Sequence, residues 1–284
     1  MPASEFWPNG ARLAITISLM FESGGEVRPD SGALGPLFPI PMPMEIPDLP
    51  TETYFQYGYL EGIPRLLELF DRFRIKVSSF MVGQAVDRNP DVAREIAMRG
   101  HECAGHGARW IPQYAMSADE ERTFIRSTVE SVQRATGQRP VGWNCNALRR
   151  SVRTLELLQE QGFIYHIDDV SRDEPFVQHV NHQPFVTVPY TLHVNDLVAY
   201  ELQGFSTQAF LQLLKDEFDM LYAEGQTRRR MLVVACHDRV AGRPARARAL
   251  GEFLDYAGGK EGVWFARKDE IARWMLAEAP LAAA

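Results

Sequence analysis

The feature that most constrains the fold is an alternation along the chain. Short apolar runs of strand type are separated by longer segments with apolar residues at helical spacing. The first run opens with Ile15, Thr16, Ile17, Ser18 and Leu19, which alternate as a buried strand does. It stops at a carboxylate, Glu22, followed by Ser23, Gly24 and Gly25. Leu60, Ile63, Leu66, Leu67, Phe70 and Phe73 then predict a helix over 60–73. Further strands are predicted at 76–82, 101–106, 140–145, 163–167, 185–188, 231–236 and 263–266. Helices are predicted at 90–100, behind an Asn89 cap and first-turn Pro90, and at 117–136, behind a Ser117/Glu120 capping box. Others fall at 151–158 behind Ser151, at 206–225 behind Ser206, at 244–256 and at 268–276.

About seven or eight such alternations imply an α/β fold whose parallel sheet has right-handed crossovers. At 284 residues, a closed or nearly closed βα barrel forming one catalytic domain over 1–284 is favoured over an open sheet. No GxGxxG or GxxxxGK[ST] follows a strand, so nucleotide-binding folds lose their main support. Residues 23–57 stand apart. They carry Pro29, Pro36, Pro39, Pro41, Pro43, Pro47 and Pro50, and are expected to form neither helix nor central strand. With Phe38, Met42, Ile46, Tyr54 and Phe55 among them, they read as a lid or an oligomer arm, with a plain surface excursion as the alternative.

Composition excludes several classes. The formal net charge is −7 with no basic block, which argues against nucleic acid as a partner. Cys103, Cys145 and Cys236 form no CxxC pair, so neither a zinc knuckle nor a disulfide framework is indicated. The start of the chain lacks a basic stretch followed by an apolar run, and no segment approaches a membrane span. A cytoplasmic protein without membrane association is expected.

Polar residues gather where the strands are predicted to stop: Glu22 and Ser23, His106, Asn144, Asp168, Tyr190 and His237. In a βα barrel these ends converge on one face, which holds the active site. A carboxylate base, a histidine acid and a second carboxylate to orient the histidine suit amide hydrolysis. Glu22, His237 and Asp168 are the candidates for these roles.

Five stretches then carry a resemblance: LMFESGGE, GHECAGHGARW, PVGWN, GFIYHIDD and MLVVACHDRVAGRPARARALGEFLDY. In this order they resemble the motifs of the polysaccharide deacetylase (NodB-homology) family over nearly the whole chain, above all its metal-independent, allantoinase-like branch. The resemblance implies a distorted (β/α)7 barrel and hydrolysis of a carbon–nitrogen bond. It places Glu22 on the catalytic base and His237 on the catalytic acid. It also places Ser23 and Trp110 on two of three metal-ligand positions, His106 on the third, and Asn144 on the third motif's arginine.

Serine and tryptophan cannot replace those ligands, and zinc in a catalytic site wants about three. No metal and no other cofactor is therefore expected. The scissile carbonyl must then be polarised by hydrogen-bond donors. His106, Trp110, Asn144, the surroundings of Tyr190, and Arg149 with Arg150 are the candidates for substrate contact. Such a site suits a small amide, cyclic ureide or imide. The alternatives are a carbohydrate or peptidoglycan N-deacetylase and a non-catalytic binding protein on a degenerate barrel. The allantoinase-like resemblance also implies a homotetramer, and the apolar proline-rich segment suits a homo-oligomer.

Overall fold

The computed structural model describes residues 6–26, 46 and 48–278. Its centre is one sheet in which β1 (Leu13–Phe21) pairs in parallel with β2 (Ser78–Met81) on one side and β8 (Met231–His237) on the other. From β2 the parallel order continues through β3 (Glu102–Gly105), β4 (Gly142–Trp143), β5 (Tyr165–His166) and β7 (Gln183–Thr187). β6 (Phe176–Val180) forms an antiparallel hairpin with β7, and β9 (Val263–Phe265) pairs with the start of β1. Seven parallel strands on the main path, with β9 as a further parallel strand beside the start of β1, thus curl into a distorted (β/α)7 barrel. β7 and β8 do not pair. The seam between them is occupied by the segment after β7, which touches β8 through a parallel bridge between Asn195 and Ala235.

Helices cover the outside of the curl. They are α1 (Leu49–Tyr57), α2 (Ile63–Arg72), α3 (Gly83–Arg88), α4 (Pro90–Met98), α5 (Ala118–Thr136) and α6 (Thr154–Glu160), then α7 (Thr207–Glu224), α8 (Asp238–Ala241), α9 (Pro244–Gly258) and α10 (Lys268–Glu278). The Ser117/Glu120 capping box and the Ser206 cap form as the sequence predicts. Ser151 does not cap α6. Its hydroxyl instead donates to the buried Glu121 carboxylate and accepts from the Arg153 amide.

Most of the proline-rich stretch, 27–45 and 47, lies outside the described residues, so the lid or arm reading falls there. Its end corrects the expectation of no helix through 57. Pro50 sits in the first turn of α1, where its missing N–H breaks no bond, and the Asp48 side chain accepts from the Thr51 amide. Among the described residues no helix is long and apolar enough to cross a membrane.

Strand parity decides what faces the barrel axis. Along β1, Leu13, Ile15, Ile17, Leu19 and Phe21 pack outward into the core beneath the helices. Ala14 and Met20 point inward and meet Phe80, Ala104, Val186, Val188, Met231, Val233 and Ala235. Glu22 continues the inward series 14–16–18–20. His106 does so after Glu102 and Ala104, His237 after Val233 and Ala235, and Tyr190 after Val186 and Val188. The other end of the barrel is filled: the buried Glu102 accepts from Ser78 Oγ and Tyr165 Oη, and the Lys268 ammonium reaches Thr16 Oγ1 at 3.4 Å. The interior therefore opens at the carboxyl ends of the strands.

Candidate active site

Six ionisable side chains meet at that end, all buried: Glu22, His106, Asp196, His237, Asp238 and Arg239. Glu22 is the hub. Its Oε2 accepts from Arg239 Nη1 at 2.7 Å. Its Oε1 lies 3.2 Å from His106 Nε2 and 3.8 Å from His237 Nε2. Burial pushes the Glu22 carboxyl up, but His237, Arg239 and the hydrogen bond from His106 override it and hold the group well below the usual carboxylate range. These neighbours favour the ionised form of Glu22.

His237 is held from the other side. Asp196 Oδ1 lies 2.6 Å from its Nδ1, and Asp196 Oδ2 accepts its backbone amide at 2.8 Å. With Nδ1–H given to Asp196, the free Nε2 faces Glu22. Burial lowers the imidazole's affinity for a proton, yet Asp196 and Glu22 together raise it above the ordinary histidine value. The site thus favours an imidazolium poised to give a proton.

The carboxylate on His237 is Asp196, not Asp168, which corrects the sequence expectation. Asp168 Oδ1 accepts from Asn144 Nδ2 at 2.8 Å and from the Cys145 amide at 2.7 Å. It fixes the loop after β4. In that loop Ala147 and Leu148 both hold left-handed backbone, at φ 50° and 60°, a strain of about 1–3 kcal/mol each that surrounding structure must offset. Leu148 forms part of the pocket wall.

Arg239 and Asp238 went unnoticed in the sequence although both directly follow His237. Arg239 Nη1 also lies 3.4 Å from Asp238 Oδ1, and the guanidinium is 4.5 Å from the Phe55 ring centre and 5.6 Å from that of Trp110. Asp238 Oδ2 accepts the amides of Glu22 at 3.0 Å and Ser23 at 2.8 Å, which ties the end of β1 to α8. Gly58 comes so close to this turn that a Cβ would collide with Ser23 Oγ and stand 2.8 Å from Asp238 Cγ.

Above the charged floor lies a cavity of 390 Å³. Glu22, His106, Trp110, Asn144, Tyr190 and His237 line it, so the structure brings together six of the eight residues predicted for the site. Asp168 stands behind the wall. Arg149 is exposed and does not line the cavity, because the loop after β4 turns it outward.

A catalytic zinc finds no fitting donor set here. Ser23 Oγ is a neutral hydroxyl, Trp110 offers no lone pair, and His106 alone supplies one of the about three ligands that a catalytic zinc wants. Among the described residues no three His, Cys, Asp or Glu side chains are grouped to hold a metal ion.

Known proteins share this architecture and sequence. The polysaccharide deacetylase family model matches residues 52–166. The crystal structure of a probable polysaccharide deacetylase from Pseudomonas aeruginosa PAO1 is 36% identical, with a TM-score of 0.89 over 99% of this chain and 96% of that one. The structure of PuuE allantoinase is 35% identical, with a TM-score of 0.87 over 99% and 96% of the two chains. A Schizosaccharomyces pombe protein named for polysaccharide deacetylase is 29% identical over 96% of this chain and 93% of its own length. Together these likenesses establish that the chain belongs to the polysaccharide deacetylase family, on its allantoinase-like branch, and is a hydrolase of amide carbon–nitrogen bonds.

Proposed function

We propose that the protein opens a small cyclic amide, ureide or imide by hydrolysis, without a catalytic metal. The observation that carries this reading is the pairing of Glu22, held by Arg239 and His106, with an Asp196-bound His237, 3.8 Å apart beneath a cavity of small-molecule size. The ring carbonyl lies over this pair. Glu22 takes a proton from water as the oxygen adds to the carbonyl carbon. The Tyr190 hydroxyl, which burial and the nearby Asp196 and Glu22 keep protonated, donates to the developing oxyanion. His237 passes its Nε2 proton to the ring nitrogen as the C–N bond breaks. The products are a carboxylate and a free amine or amide nitrogen on one opened chain. Arg239 and His106 hold Glu22 in place.

Three features support a ring substrate over a sugar polymer. The site is a bounded cavity, its donors for carbonyl polarisation are neutral or already paired, and PuuE allantoinase is among the similar structures. The test is turnover of a panel of ring amides, ureides and imides against an N-acetyl sugar oligomer, by wild type and by Glu22→Gln. The reading predicts ring opening by the wild type, almost none by the variant, and no acetate release. Acetate release from the oligomer without ring opening overturns it.

A further inference from the structure

Resting on the reading above, we infer that the substrate's far edge is hydrocarbon: a ring imide or amide bearing alkyl or aryl carbon opposite the reacting group, rather than a polar ureide. Met20, Ala147, Leu148, Leu192, Leu197 and Val198 supply apolar surface to the cavity wall. The polar side chains that also line it are largely committed.

Asn195 is spent on backbone and on Tyr190. Its Oδ1 accepts the Leu197 and Val198 amides, and its Nδ2 donates to the Thr191 carbonyl and to Tyr190 Oη. Asn144 gives its Nδ2 to Asp168. Beside Glu22 and His237, which carry the reaction, and His106, which meets Glu22 and the Asn144 carbonyl, three side-chain groups on the wall keep unused capacity among the described residues: Asn144 Oδ1 as an acceptor, and the Tyr190 O–H and the Trp110 indole N–H as donors. One acceptor and two donors match the O=C–N(H)–C=O edge of a single imide. A ureide ring with a polar tail would bring further N–H and C=O groups with nothing to meet them. Each such group, stripped of water and left unpaired, weighs heavily against binding. The buried guanidinium at the site, Arg239, already pairs with Glu22, so among the described residues lining the cavity an anionic tail finds no free arginine or lysine.

Leu148 and Leu192 are the specificity positions on this account. Leu148 is held toward the cavity by a loop pinned through Asp168, and its left-handed backbone also suits asparagine. Leu192 is 47% exposed at the rim, so its replacement does not touch the core.

The experiment compares kcat/KM for succinimide, an alkyl-substituted succinimide, hydantoin and allantoin, using wild type, Leu148→Asn and Leu192→Ser. Circular dichroism melts check that each variant is folded. The expected wild-type result is a preference of about tenfold or more for the alkylated imide over the plain ring, and a larger one over allantoin. Both substitutions should shrink the alkyl preference several-fold, through KM more than kcat. A wild type that opens hydantoin or allantoin faster than the alkylated imide overturns this inference and leaves the ring-hydrolase reading standing. An unchanged alkyl preference in both folded variants also overturns it. If no ring amide is opened, the ring-hydrolase reading fails and this inference fails with it.

Discussion

Asp196 grips His237 twice, through the ring at 2.6 Å and through the backbone amide at 2.8 Å. The two residues are 41 positions apart in sequence. The contact exists because the segment after β7 fills the seam that β7 and β8 leave open. This double bond fixes the ring's orientation and decides which nitrogen faces Glu22.

Asp196→Asn should therefore move the basic limb of the pH–rate profile to lower pH. His237 acts protonated, so activity is lost as pH rises through its pKa. Asp196 helps raise that pKa against burial, and removing the charge lets burial pull it down. Activity at neutral pH should fall by about 10²–10⁴, the usual contribution of a positioned acid. Asp168→Asn should leave that limb where it is, since the Asp168 carboxylate accepts from Asn144 Nδ2 and the Cys145 amide and faces His166, not His237. If Asp168→Asn moved the limb and Asp196→Asn did not, the assignment would be reversed.

Arg239→Met should shift the acidic limb upward. Arg239 is one of the positive charges that hold Glu22 low, so its loss raises the Glu22 pKa and activity fails at a higher pH on the acid side. Breaking a buried pair also costs stability, on the order of 3 kcal/mol. Rate profiles and denaturant titration read the two effects separately.

Much of this site was legible in the sequence because the strand ends of a βα barrel converge on one face. Glu22, His106, Tyr190 and His237 each stand where a predicted strand stops, so they could be placed together without coordinates. Asp196 was not legible by that rule. It lies in a segment that forms no strand, and its partner is distant. Asp168 was chosen in its place because it ends a predicted strand. Arg239 was missed although it stands only two positions after His237, since nothing in its spacing says that α8 turns its guanidinium back under Glu22. The hairpin strand β6 was also missed, because its residues are half exposed and lack a clear alternation.

Ser23→Ala should change little. The Ser23 hydroxyl is buried without a partner, so its loss removes an unpaid desolvation cost, and the amide bond to Asp238 remains. Stability should stay within about 1 kcal/mol or rise, and kcat should stay near wild type. A large loss of activity would give this hydroxyl a role in the reaction.

Gly58→Ala should be far more damaging than an exposed glycine replacement. The added methyl would press on Ser23 and Asp238, the two residues that set the end of β1. A destabilisation of about 1–3 kcal/mol is expected from overpacking. A drop in kcat should accompany it as Glu22 shifts, and thermal melts with kinetics at 25 °C would show both.

The central claim is hydrolysis by Glu22 and His237 without a catalytic metal. It is tested most directly by elemental analysis and kcat/KM on a ring imide, before and after exhaustive chelation. The account predicts metal well below one equivalent and an unchanged rate after chelation. Loss of the rate on chelation, with recovery on adding zinc, would contradict it.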